Sequence, residues 1–214
     1  MLNRVVGLGV GAEVDPDTVD RCLAAMGDAA FYVSVAPSAD ARLAALLDDR
    51  GLEPGWGWML FERAADPVSP VETHLDAVTV DAARAEAWAA IVRTAYGLPA
   101  ASLPLIAAVP SLSGWTAFLA VDGGEPVAAA AAWTDRDAAY LGFAATRPEH
   151  RGKGGQGLLL AARIEHAVAA GCRTIVTETG ALRGDRPSAS YRNILRSGFE
   201  ERHVVAHRLR PRRG

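Results

Sequence analysis

The sequence predicts an α+β protein with a mixed sheet, built as an α-β-α-β unit followed by a second, longer mixed domain. Three observations carry this. Residues 115–146, "WTAFLAVDGGEPVAAAAAWTDRDAAYLGFAAT", hold three apolar runs separated by Asp122-Gly123-Gly124-Glu125 and Asp135-Arg136-Asp137. Gly and Asp supply the conformations that tight turns require, so these runs read as antiparallel strands. A glycine-rich stretch at 151–157 then enters an apolar helical stretch, and strand, helix and strand follow. The first 70 residues hold only helix, strand, helix and strand.

In chain order, Asp15 caps a helix from Pro16 to Gly27, "FYVSVAP" (31–37) is a strand, and "SADARLAALLDDRG" (38–51) is a helix stopped by Gly51. "WGWMLFER" (56–63) is the next strand, whose Trp56, Trp58 and Phe61 suit core or interface packing. "ADPVSPVETH" (65–74), with two prolines, is the expected linker between a unit at 1–70 and a domain at 71–214. "RAEAWAAIVRTAYG" (84–97) is a helix, and the three hairpin strands follow. From Gly157 onward Leu160, Ala161, Ile164, Ala167, Val168 and Gly171 share one helical face, with Arg163 and His166 read as lying off it. "RTIVTETG" (173–180) is a strand, "SASYRNILRSGF" (188–199) a helix ended by Gly198, and "EERHVVAHRLR" (200–210) the last strand.

Set beside each other, "LLDDRGLEPGWGWMLFER" and "ILRSGFEERHVVAHRLR" share one layout of amphipathic helix, glycine, apolar residue, glutamate and strand. This reads as an internal half-repeat, two unrelated helix-strand units being the other reading. An uncovered strand edge invites aggregation, so the strands 56–63 and 200–210 are expected to lie side by side.

Half of the 214 residues are hydrophobic, enough for a sizeable core. No apolar run approaches the roughly 18 residues of a membrane span, and "MLNRVVGLGVGAEVD" lacks the layout of a signal peptide. A cytoplasmic protein with no membrane partner is expected. Cys22 and Cys172 lie far apart without ligand spacing, so neither a disulfide framework nor a metal site is expected. Residues 1–70 hold five arginines against eleven carboxylates, and the remainder seventeen Lys or Arg against fourteen. An anion site therefore belongs in the second part. So small an excess does not point to nucleic acid.

The stretch "PEHRGKGGQGLLLAA" (148–162) follows a strand ending near Thr146 and opens a helix. Glycines let backbone N–H groups converge, the helix dipole adds about half a positive charge, and Arg151 and Lys153 add two full ones. Phosphate is the natural guest. A Walker loop is excluded because Lys153 is followed by glycine without the required glycine upstream. A dinucleotide fold would place parallel strands before the loop, where hairpin strands stand. "VVGLGVGAEVD" fits Gly-x-Gly-x-x-Gly/Ala at Gly7, Gly9 and Ala12, but Pro16 starts the helix too late and the next strand ends without a ribose-binding acid.

The glycine stretch resembles the acetyl-CoA loop of the GNAT-type N-acetyltransferase superfamily, Arg/Gln-x-x-Gly-x-Gly/Ala preceded by a Pro-Glu-x-Arg-Gly run. Pro148, Glu149, Arg151, Gly152 and Gly154 match; Gln156 stands where Gly or Ala is usual, with Gly157 next. The resemblance extends over roughly residues 75–210, including the helix-Gly-Phe ending "NILRSGF". It implies a GNAT fold with a splayed mixed sheet, preceded here by a degenerate half-GNAT-like unit. It also implies that the strand before the loop binds the pantetheine arm through its backbone at Ala144 and Thr146. The amides of the loop, Arg151, Gly152, Lys153, Gly154, Gly155, Gln156 and Gly157, would hold the pyrophosphate. Strands 138–146 and 173–179 would part to admit the thioester of acetyl-CoA. A primary amine of a small molecule or peptide would attack directly, without a metal, and a backbone N–H near Thr146 would stabilise the developing oxyanion.

Many members of the family carry a tyrosine four residues before the Gly of the Gly-Phe ending, where it protonates the departing thiolate; Ile194 stands there. Tyr191, one helical turn earlier, is the candidate acid, with packing against the sheet as its other reading. Asn193 either hydrogen-bonds pantetheine or faces solvent. Glu178, at the end of the strand "TIVTETG", is the candidate general base, a solvated strand end being the alternative. Glu149 orders Arg151, and His150 and His166 are expected in solvent. The absent tyrosine keeps a second function in view, a non-catalytic acyl-CoA-binding or regulatory module.

Overall fold

The structure, a computed structural model, describes residues 3–182 and 187–211. The elements in chain order are β1 (Arg4–Val5), α1 (Pro16–Ala25), β2 (Phe31–Val35), α2 (Arg42–Asp48), β3 (Glu53–Ala64), β4 (Asp76–Thr79), α3 (Ala85–Ala95), α4 (Leu103–Ala107), β5 (Trp115–Asp122), β6 (Glu125–Asp135), β7 (Ala138–Thr146), α5 (Gly155–Ala169), β8 (Thr174–Gly180), α6 (Ala189–Arg196) and β9 (Glu200–Arg210). The strands hydrogen-bond in the order β1-β2-β9-β3-β8-β7-β6-β5-β4. The α+β class and its mixed sheet are those the sequence predicts.

The chain divides into two compact units. One takes the chain up to Leu60 with segments beginning at Thr179 and Arg202; the other takes Phe61–Glu178 and Pro187–Glu201. In the first unit the Asp15 carboxylate accepts from the N–H groups of Asp17 and Thr18, and Pro16 takes the first helical position. The preceding glycines serve the turn that leads to this cap, because the Gly9 carbonyl accepts from the Asp40 N–H at 2.9 Å and the Asp40 carboxylate accepts from the Val14 N–H at 2.8 Å. Asp40 also accepts from the N–H of Arg42, so α2 begins at Arg42 and not at Ser38. Val19, Leu23, Phe31, Val33, Leu43 and Leu47 form the core of this unit. Here β9 runs antiparallel to β2 and neighbours β3, so the strands expected at 56–63 and 200–210 do lie side by side.

In the second unit β5, β6 and β7 form the antiparallel meander expected, and β7 pairs with β8 in parallel. Ala128 to Ala132 of β6 are fully buried. Small side chains on both faces of this central strand admit a helix on each. On one face Ala117, Leu119, Ala129 and Ala131 meet Trp88, Ile91 and Val92 of α3. On the other, Phe118 of β5 meets His166 of α5 at 5.7 Å between rings. β1, the edge strand β4 and α4 were not legible in the sequence: two are very short, and α4 carries Pro104 in its first turn.

Candidate active site

The parallel pairing of β7 and β8 runs from Ala138↔Thr174 to Leu141↔Thr177 and stops, although β7 continues to Thr146. The strands part at this point. On its other side β7 loses register with β6 between Ala129 and Ala131, where an extra residue bulges and Phe143 adopts φ +55°. A phenylalanine in the left-handed region costs about 1–3 kcal/mol, which the surroundings must offset. Side chains take over the backbone carbonyls at this junction. Trp88 Nε1 donates to Ala130 O at 3.0 Å, Thr177 Oγ1 to Leu141 O at 2.8 Å, and Arg163 Nη1 to Gly142 O at 3.2 Å. The Tyr96 hydroxyl reaches Ala144 O at 3.4 Å.

Glu178 stands just past the last β7–β8 pair, half-buried, and accepts from the Tyr140 hydroxyl at 2.9 Å. Tyr140 can cross to it because its ring lies over Gly142; a Cβ on Gly142 would come within 2.8 Å of the Tyr140 ring.

Thr146 ends β7 opposite Ala128, and a single 3₁₀ turn, Pro148–His150, leads into the glycine loop. Gly152 and Gly154 take φ +80° and +86°, conformations that side chains resist. The helix α5 begins at Gly155, two residues before the predicted Gly157, since the left-handed Gly154 is its N-cap. Its first ladder bond is Leu158 N to Gly154 O, so the N–H groups of Gly155, Gln156 and Gly157 precede the ladder. Arg151 is exposed beside them. Lys153 Nζ lies 3.6 Å from Asp122 Oδ2, whose carboxyl is held below its ordinary range first by its bond to His74. His150 is 14% exposed in its side chain and lies 3.9 Å from the same carboxylate, so it is not the solvated residue expected. His166 is half-buried, and burial lowers its pKa.

On α6, Tyr191 is 1% exposed, stacks edge-on against Phe61 at 4.8 Å and donates to Glu201 Oε1 at 2.6 Å. Burial, then that bond, push its pKa up to about 12. Asn193 donates to Gln156 Oε1 at 2.9 Å while Gln156 Nε2 donates to Ser190 Oγ at 2.9 Å. A glutamine in place of Gly or Ala therefore ties the start of α5 to α6. Ile194 is buried.

Sequence reasoning missed Arg163, Trp88, Tyr140 and Thr73. Arg163 is three residues after Leu160 and four before Ala167, on the buried side of α5, and it is 2% exposed. That spacing was the available signal. Thr73 Oγ1 donates to Lys153 O at 2.8 Å, and its side chain lies 3.1 Å from where a Cβ on Gly154 would stand. The stretch read as a linker thus braces the loop.

Among the described residues no helix is long and apolar enough to cross a membrane. The acetyltransferase (GNAT) family model matches residues 86–186, the stretch that holds the bulge, the loop and β8. A GCN5-related N-acetyltransferase from Kribbella flavida is similar over 97% of this chain and 81% of its own, with TM-score 0.72 and 24% identity. One from Sphaerobacter thermophilus is similar over 92% of this chain and 64% of its own, with TM-score 0.69 and 20% identity. A tandem GNAT protein from the clavulanic acid biosynthesis pathway covers 93% and 69%, with TM-score 0.59 and 16% identity. These likenesses are of fold. No curated protein matches the chain in sequence. The segment 86–186, which carries the loop, thus matches the acetyltransferase (GNAT) family model, and the chain shares the fold of GCN5-related N-acetyltransferases.

Proposed function

We propose that the chain moves an acetyl group from acetyl-CoA to a primary amine of a small molecule or peptide by direct attack. One observation carries this reading: β7 parts from β8 and leads directly into a helix N-terminus whose first N–H groups precede the ladder. The glycines fit a phosphate cradle, since Gly152 and Gly154 take left-handed conformations on either side of Lys153, and left-handed residues in such turns let successive N–H groups converge on an anion. Arg151, Gly152, Lys153, Gly154, Gly155, Gln156 and Gly157 would hold the pyrophosphate. Ala144 and Thr146 would hold the pantetheine arm by their backbones, with Asn193 beside Gln156. The thioester supplies the acetyl group. Glu178 would accept the proton of the amine, with Tyr140 keeping its carboxylate oriented. Residues 1–70 are read as a degenerate half of the same fold.

In this reading Tyr191 is the proton donor to the departing thiolate. A tyrosine is already protonated at neutral pH, and burial with the Glu201 bond raises its pKa further. Tyr191→Phe removes that acid and is then expected to lower kcat about 100-fold, the low end of a general-acid effect, with little change in the KM for acetyl-CoA. Turnover equal to the parent's leaves Tyr191 as the packing partner of Phe61.

Thiol release tests the whole reading. Acetyl-CoA is offered with panels of small amines, amino acids, aminoglycosides and peptides, and free CoA is trapped by a thiol reagent. Amine-dependent release is expected. Binding of acetyl-CoA without release from any panel would favour a non-catalytic acyl-CoA module.

A further inference from the structure

Arg163 is a buried cation that the mechanism above does not use. Its Nε donates to Leu159 O of its own helix at 2.9 Å, and Nη1 reaches across to Gly142 O at 3.2 Å. Among the described residues the groups that face it are Tyr96 and Tyr140, and no carboxylate bonds to it. Burying an arginine without a counter-charge is costly, and an apolar side chain of similar length would fill the same space without that cost. The residue needs a reason to be there.

The reason lies in what Gly142 precedes. Its carbonyl is the first beyond the last β7–β8 pair, and the next residue is Phe143 at φ +55°. Trp88 fastens the β6 side of this bulge through Ala130 O, and Arg163 fastens the β7 side. We propose that Arg163 is a positioning residue for acyl transfer: it holds the Gly142 carbonyl, fixes the Phe143 bulge, and thereby aims the backbone of residues 143–146 into the opening between β7 and β8. This rests on the reading of that opening as the thioester site. A guanidinium suits the task because its planar fork serves the helix carbonyl and the strand carbonyl together.

The test separates positioning from packing. Arg163→Met keeps a stem of similar length and removes the fork; Arg163→Lys keeps the charge and one reach to Gly142 O. Because the pyrophosphate would be held by the loop, Arg163→Met is expected to lower kcat about tenfold through misaim of the strand, with little change in the KM for acetyl-CoA. Arg163→Lys is expected to recover most of that loss. Should Arg163→Met not fold, Arg163→Gln, long enough for Leu159 O but short of Gly142 O, replaces it under the same criteria. A folded Arg163→Met or Arg163→Gln with parental kcat, whatever its melting temperature, overturns the proposal. Failure of the parent to bind acetyl-CoA by calorimetry overturns the proposed function as well, so the two failures are distinguishable.

Discussion

Arg151→Ala combined with Gly154→Val is expected to lose most of the thermal stabilisation that acetyl-CoA confers on the parent. Arg151 stands exposed beside the loop, free to meet a phosphate, and a hydrogen bond to a charged group contributes about 1.5–3 kcal/mol. Gly154 sits at φ +86°, where a side chain costs about 1–2 kcal/mol, and a Cβ there would lie 3.1 Å from Thr73. The valine also stands on the residue that caps α5, so it shifts the N–H groups meant for the pyrophosphate. Together these predict an affinity for acetyl-CoA weaker by roughly 100-fold, each factor of ten being about 1.4 kcal/mol. Arg151→Ala alone should weaken it by roughly tenfold without disturbing the fold, because its side chain is in solvent. Equal stabilisation of parent, single and double mutant by acetyl-CoA would sink the loop assignment.

The parts of this molecule that were legible are those whose cause is local. The hairpins announce themselves because Asp122-Gly123-Gly124-Glu125 can be little else than a tight turn, and Asp15-Pro16 because a carboxylate cap and a proline both belong at a helix start. The glycine loop was legible for the same reason: left-handed backbone needs glycine, and Gly152 and Gly154 supply it. The side-by-side placement of β3 and β9 followed from the need to cover an edge.

The bulge at Phe143 was hidden because its causes are distant in sequence. Nothing in "YLGFAAT" marks a left-handed phenylalanine. It is held by Trp88 from one helix and Arg163 from another, packed on opposite faces of the strands. Tyr140 and Glu178 are likewise 38 residues apart and meet only through parallel pairing in register. Lys153 has a neighbour that was hidden for the same reason. As the chain's single lysine it reads as a free charge for phosphate, yet folding places it 3.6 Å from Asp122 of a hairpin turn.

His207 offers a test of the first unit that is independent of catalysis. It lies on β9, 2% exposed, with ring centroids of Tyr32 at 4.3 Å, Trp56 at 5.5 Å and Trp58 at 6.4 Å. Burial, and secondly the charge of Arg4, push its pKa down to about 4. In the unfolded chain it returns to the ordinary value near 6.5. As pH falls through that value the unfolded state takes up a proton that the folded state refuses until about pH 4, so stability declines across this window. The loss approaches about 3 kcal/mol at its lower end, at about 1.4 kcal/mol for each pH unit of difference. Asp40, whose carboxyl its Arg42 bond holds well below the usual range, loses its contribution only at more acid pH and does not confuse the reading. Urea unfolding at pH 7, 5.5 and 4.5 should therefore show a steeper decline for the parent than for His207→Met, which has nothing to titrate at that site. Parallel declines in the two proteins would mean that His207 is protonated in the folded state, and that the aromatic enclosure does not exclude charge.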